Sequence, residues 1–398
     1  MSRATLTSRS TTHYWAELDG VRSLAFLLVF MSHVGAVPAL TPPLLHPIRT
    51  IYNVIVSWGW IGVDLFLVLS GFLITSLLLK ERQLTGNISF KFFFIRRMLR
   101  LWPLYYLVFF LGFFIFPLFQ WMGIGYGTPA RSEMLATYFT AFLLFFGNLQ
   151  FAHGITVISP MVASLWTVCL EEQFYVIWGS LLTLFKNKRP LVALIGSLLI
   201  AAVGARYYVQ AHSTSHHPYY YNTLTHADPL LIGALAAIAW RTYEQTIRRF
   251  SLLLGGTGVI IIASIMITMP PIFQNHPSIV WAMSGIAIGW GAFLLGVISN
   301  PTFKRLFQYQ PLTSMGKITY GMYLFHFPIL VTWVAFTHQH LTFLSDLQTF
   351  GITFSLTLLA TLLLARWSWR VYERPFNALR AHFTNRTSLS SPLTVPQL

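Results

Sequence analysis

Residues 19–34 read Asp19-Gly-Val-Arg22-Ser-Leu-Ala-Phe-Leu-Leu-Val-Phe-Met-Ser-His33-Val34. An arginine opens an apolar run, and a histidine follows eleven residues later. On a helix that separation is roughly 16 Å along the axis, about half the thickness of a bilayer core. Eleven steps of about 100° also bring His33 back to the face that carries Arg22. Ionisable groups at such depth are costly in hydrocarbon and face a cavity or a polar partner. The stretch predicts a first membrane span with one polar face turned inward.

The whole chain has the composition such a span needs. Of 398 residues, 55% are hydrophobic and 9% charged, and the mean hydropathy is +0.62. A soluble domain carries about 25% charged residues, so the predicted fold class is all-α, a polytopic helical bundle in a membrane. The net charge of +15 arises from 26 Lys and Arg against 11 Asp and Glu. In a soluble chain that excess would suggest nucleic acid. Here it fits the cytoplasmic loops of a membrane protein, and no nucleic-acid partner is expected. Cys169 is the only cysteine, which excludes an internal disulfide and a paired-thiolate site. His212, His216, His217 and His226 have no acids or thiols at ligand spacing among them, so no metal is expected.

Spans are expected near 21–40, 58–79, from Trp102-Pro103 onward, and near 164–185, 190–210, 227–240, 251–269, 279–299, 318–338 and 348–366. Pro103 would sit in the first turn of its helix, where proline is tolerated. Lys80–Arg100 reads as a basic connector. With ten spans and both termini in the cytoplasm, inside segments carry 23 of the 26 basic residues, and outside segments only Arg49, Arg131 and Arg206. The scheme fails if 134–150 crosses, so that stretch is expected to be re-entrant or to lie on the outer side. Residues 1–18 and 377–398 read as cytoplasmic segments flanking a membrane domain at 19–376. Ala36-Val-Pro-Ala39 resembles a signal-peptide cleavage site, but losing the first span would spoil this topology.

Most acids fall near span ends, where solvent or a nearby arginine accounts for them. Asp64, Glu171, Glu172 and Asp228 fall inside predicted spans, in the outer half of the membrane. Two readings stay open for them: buried polar pairs that hold helices together, or a cavity in which His33 acts as a base. His326 is a second intramembrane histidine. Arg97 and Arg100, three residues apart, share a helix face at the cytoplasmic entrance and suit a phosphate ligand.

Several stretches together resemble the membrane-bound acyltransferase-3 family over roughly 16–376. They are the Arg22/His33 pair, Gly62-Val-Asp64-Leu-Phe-Leu-Val-Leu-Ser70-Gly71-Phe, and Arg97-x-x-Arg100 with Pro103. Further along come Ser164-Leu-Trp166 through Glu171-Glu172-Gln-Phe-Tyr175, then Tyr320-Gly-Met-Tyr-Leu-Phe-His326-Phe-Pro328, and Tyr372-Glu373-Arg374-Pro375-Phe376. The sequence departs from the family pattern at Cys169 and Leu170, ahead of the acids. Members often carry a fused extracytoplasmic hydrolase-like domain, for which this chain is expected to be too short. The resemblance implies transfer of an acyl group, in the first instance acetyl, from a cytoplasmic acyl-CoA donor to a hydroxyl. The implied acceptor is a glycan or glycolipid of the cell envelope, such as lipopolysaccharide, exopolysaccharide or peptidoglycan, or else a small molecule or antibiotic. The implied setting is the bilayer of a bacterial inner membrane.

On this reading His33 is the base or a transient acyl carrier, and Glu171, Glu172 and Asp64 would orient either it or the acceptor. Arg97 and Arg100 would hold the donor, and Arg22 would either join them or fix the helix end. Trp166, Tyr175, Asp228 and His326 would contact the acceptor. The rival from another class is a proton-coupled transporter, which calls for inverted repeats, and the sequence shows none. A non-catalytic assembly scaffold is the third reading, and the intact polar motifs speak against it. The topology is testable directly. Single cysteines at Lys188 and Thr214, in a background lacking Cys169, should label from opposite sides of the membrane. Position 188 reachable only from outside would overturn the scheme.

Overall fold

In hydrocarbon a backbone N–H or C=O finds no water, so each apolar run closes its hydrogen bonds within itself as a helix. The computed structural model describes residues 14–35, 46–121, 132–154, 159–213, 215, 217–270, 276–341 and 343–383, and every regular element among them is helical. The elements are α1 (Ala16–Gly35), α2 (His46–Trp58), α3 (Ile61–Thr85), α4 (Phe90–Phe110), α5 (Phe116–Trp121), α6 (Ser132–Leu143), α7 (Gly147–Ala152), α8 (Leu165–Leu184) and α9 (Lys188–His212). They continue with α10 (His217–Tyr221), α11 (Asp228–Arg249), α12 (Ser251–Thr268), α13 (Ile279–Ser299), α14 (Pro301–Phe307), α15 (Gln310–Gly316), α16 (Thr319–His340), α17 (Asp346–Ser368) and α18 (Arg374–Leu379). A π-turn, Leu111–Ile115, joins α4 to α5, and another, Trp369–Glu373, joins α17 to α18.

Eight helices among the described residues are long and apolar enough to cross a membrane, namely α1, α3, α4, α9, α12, α13, α16 and α17. The sequence counts two more, α8 and α11, which carry three of the four intramembrane acids. Both pack inside the bundle, α8 against α3 and α4, and α11 against α3 and α13. Outer faces are apolar and uncovered, with Ile200 of α9 75% exposed and Ile267 of α12 78% exposed. Such surface is stable only against lipid.

The stretch 134–150 is not one helix. It holds the 12-residue α6 and the start of the 6-residue α7, broken at Phe145, whose φ is 60°. Twelve residues make about 18 Å, short of the roughly 30 Å a span requires. Three sequence expectations need correction. Lys80–Arg100 is no loose connector, because α3 runs to Thr85 and α4 begins at Phe90, with Gly86 (φ 79°) opening the turn between them. Pro103 consequently lies inside α4 rather than in its first turn. Arg206, assigned to an outside segment, lies within α9 and is fully buried. Residues 1–13, 384–398 and Arg131, whose topological side was read from the charge pattern, lie outside the described residues.

The centre of the bundle is set by α3 and α11, which run in the same direction. Asp64 meets His226 at one end, and the Ser76 carbonyl accepts from Arg241 at the other. They touch backbone to backbone at their crossing. A Cβ on Gly71 would lie 2.1 Å from the Leu230 carbonyl oxygen, and one on Gly233 would lie 2.1 Å from that of Val68. Arg206 ties the neighbouring helices together. It makes a bidentate pair with Asp228 at 2.7 and 2.8 Å, and it also donates to Ser284 Oγ and to the carbonyls of Thr225 and Val280. Ser284 in turn donates to Asp228. All five guanidinium N–H groups therefore find acceptors.

A buried pair is costly to break from one side, because the remaining charge is stranded. Arg206→Leu should lower stability by about 3–5 kcal/mol. The double variant with Asp228→Leu should recover part of that loss. Thermal unfolding in detergent checks both, and equal losses in single and double variants would show that the pairing is not what matters.

Candidate active site

A cavity of about 120 Å³ lies where α1, α3, α4, α8, α15 and α16 converge. At one end its wall carries Arg22, Arg97, Arg100 and Lys317. Arg97 and Arg100 reach it together because they are three residues apart on one face of α4. The Arg97 guanidinium lies 5.8 Å from the centre of the Tyr175 ring and 5.9 Å from that of Phe93. Arg22 pairs with Asp19, which also accepts from the Tyr14 hydroxyl. Lys317 comes close to α1 because Gly316 has no side chain, since a Cβ there would lie 1.9 Å from the Asp19 carbonyl oxygen. A smaller cavity of about 30 Å³ shares Arg22, Arg100, Lys317 and Tyr320 with the first, and adds Asp19, Trp369, Glu373, Asn377 and Arg380. The two form one basic entrance, suited to a polyanion.

Deeper in, Glu171 is the acid on the cavity wall. Ser70 Oγ donates to its Oε1 at 2.6 Å and the Tyr175 hydroxyl to its Oε2 at 2.8 Å. Glu171 and Tyr175 are four apart on α8 and so stack one turn above the other. The cavity ends near Val63, Thr167 and Tyr323, where Thr167 Oγ1 donates to the Tyr323 hydroxyl at 3.2 Å.

Tyr323 stands between this cavity and the histidines. His33 Nδ1 lies 2.8 Å from His326 Nε2, and His326 Nδ1 lies 2.7 Å from the Tyr323 carbonyl oxygen. His326 is fully buried against the edges of Phe26 and Phe30, while His33 is half-buried beside Phe327. Neither histidine lines the cavity.

The structure divides the sequence-predicted residues. Arg22, Arg97, Arg100, Glu171 and Tyr175 share the cavity, and His33 and His326 pair beyond it. Among the described residues, none of the acids expected to orient His33 or the acceptor touches His33. Asp64 Oδ1 lies 2.6 Å from Nε2 of His226, whose Nδ1 bonds the Tyr220 carbonyl. Both nitrogens of that ring are committed, which marks a helix-joining contact. Glu172 is buried and faces the Trp102 indole. Asp228 is taken up by Arg206, and Trp166 packs against Tyr220, Tyr221 and His226. For Asp64 and Asp228 the helix-joining reading prevails. Sequence reasoning missed Ser70, Lys317, Tyr320, Tyr323 and Arg380. Ser70, Tyr320 and Tyr323 lay inside quoted motifs, whereas Lys317 and Arg380 looked like ordinary loop charges. Glu373, expected to be solvated or paired with an arginine, is buried and accepts from Ser368.

The described residues thus form a helical bundle with a basic cavity mouth, one acid on the cavity wall and a histidine pair beyond it. A family profile described as an acyltransferase domain matches residues 15–366, and the chain belongs to this acyltransferase-3 family. It is 30% identical over 340 residues to the peptidoglycan O-acetyltransferase OatA of Listeria monocytogenes, covering 81% of this chain and 50% of that protein. It is 27% identical over 333 residues to the "Putative peptidoglycan O-acetyltransferase YrhL" of Bacillus subtilis, covering 80% and 49%. The chain thus spans about half the length of these relatives. No solved structure matches it.

The Asp64–His226 contact makes its own prediction. Asp64→Ala and His226→Ala should each destabilise the protein. A double-mutant cycle on thermal stability should give a coupling of about 0.5–3 kcal/mol. Additive losses would mean that the contact does not join α3 to the α10–α11 segment.

Proposed function

We propose that the chain is a multi-pass acetyltransferase of the bacterial plasma membrane, taking an acetyl group from acyl-CoA at its cytoplasmic face. The basic entrance carries this reading. Arg22, Arg97, Arg100 and Lys317 converge on one mouth, and a nucleotide thioester brings several phosphate charges to it. Arginine forks grip phosphate oxygens in pairs, which lysine cannot do. The acyl end would reach inward toward Glu171 and Tyr323. The end of the bundle with the entrance also bears Lys80, Arg82, Lys188 and Arg241, consistent with a cytoplasmic side.

The acceptor is a hydroxyl of an envelope glycan, of the peptidoglycan type by likeness to the named relatives. It approaches from the opposite end, where His33 is half-buried. The His33 imidazole takes the hydroxyl proton as the oxygen attacks the thioester carbonyl. The C–S bond breaks, the C–O bond forms, and the thiolate leaves to be protonated.

Purified protein in liposomes tests this with acetyl-CoA on one side and glycan fragments on the other. His33→Ala should reduce transfer by roughly 10²–10⁴-fold, with donor affinity nearly unchanged. Arg97→Ala with Arg100→Ala should weaken donor binding, and lysine at both positions should restore it only in part. Donor affinity untouched in the double variant would refute the phosphate role. Transfer by His33→Ala within a few-fold of the parent would refute the base.

A further inference from the structure

The acids that would ordinarily orient a catalytic histidine are engaged elsewhere. Asp64 is committed to His226, Glu171 is held by Ser70 and Tyr175, and Glu172 faces Trp102. The ring facing His33 is another imidazole. We propose that His326 is a positioning residue that fixes His33 in the tautomer with its proton on Nδ1 and its lone pair on Nε2. The inference rests on the reading of His33 as the base.

The proton positions follow from the contacts. A carbonyl oxygen can only accept, so the 2.7 Å contact to Tyr323 places a proton on His326 Nδ1. Two N–H groups cannot face each other across the 2.8 Å between His326 Nε2 and His33 Nδ1, so one of these nitrogens is bare. If it were His33 Nδ1, His326 would be protonated at both nitrogens. It would then be a cation with no exposed surface between Phe26 and Phe30. Isolated buried charge is heavily disfavoured. The bare atom is therefore His326 Nε2, and His33 Nδ1 donates to it.

In neutral His33 the remaining lone pair is then on Nε2, the nitrogen away from His326. When Nε2 takes up a proton, Nδ1–H still donates to the same acceptor, so neither ring turns over. This is how an outer partner fixes a working imidazole: it sets the tautomer and aims the ring. His226 offers the contrast within the same molecule, since both its nitrogens are occupied and none is left to act.

The test uses full-length protein labelled with ¹⁵N-histidine, with the His33 signals identified by their loss in His33→Ala. The parent should show His33 protonated at Nδ1 and bare at Nε2 under turnover conditions. His326→Leu should lose this tautomer preference and lower kcat by roughly 10–100-fold, with donor affinity changed by less than about twofold. His326→Gln can accept from His33 through its carbonyl and donate to the Tyr323 carbonyl through its amide, and it should regain most of both. That rescue, together with unchanged donor affinity, separates positioning from simple loss of folding. A proton on Nε2 of His33 in the parent would overturn the inference. So would near-normal turnover in His326→Leu, or a glutamine variant no better than the leucine one. If His33→Ala itself retains transfer, the base reading falls and takes the catalytic role of His326 with it, while the spectrum still reports the tautomer.

Discussion

A buried polar group in a bilayer has no water to fall back on, so its partner must come from the protein. That constraint organises this structure. Arg206 draws on α11, α13 and the chain before α11 to satisfy its guanidinium. Asp64 draws on His226, Glu171 on Ser70 and Tyr175, and His33 on His326. Apart from Glu171–Tyr175 within α8, each contact joins different parts of the chain, and together they decide which helices are neighbours. Side chains that could be mistaken for a single catalytic cluster are separate junctions, and the cavity is the space left between them.

Two close backbone contacts position the functional part. Gly71 and Gly233 let α3 and α11 meet at the backbone, and Gly316 lets α15 come against the start of α1. The first contact sets the position of α3, and with it Ser70 and Asp64. The second brings Lys317 beside Arg22. The entrance is thus assembled from α1, α4 and the α15–α16 junction, far apart in sequence, and its concentration of positive charge is a tertiary property.

Helical periodicity carried much of this in the sequence alone. The spacing of Arg97 and Arg100 put them on one face, and the distribution of basic residues spoke against a crossing by 134–150. The start of α4 was misplaced because Lys91-Phe-Phe-Phe-Ile-Arg96-Arg97 lowers local hydropathy without containing anything that breaks a helix. Partnerships were not legible at all. His33 and His326 are 293 residues apart, and Asp64 and His226 are 162 apart. Spacing along one helix says which residues share a face, not what that face meets. Acids at similar depth therefore looked interchangeable, although two of them join helices and a third lines the cavity.

The uncovered flanks of α9 and α12 differ in kind from the α3–α11 crossing. A residue such as Ile200 or Ile267 answers only to lipid, and almost any apolar side chain of any shape serves there. At Gly71 and Gly233 even one added carbon meets backbone, which cannot swing aside as a side chain does. Sequence drift can therefore remake the outer surface freely, and with it the membranes and neighbours the protein suits. The crossing at the centre, on which the placement of Ser70 depends, leaves room for no residue larger than glycine.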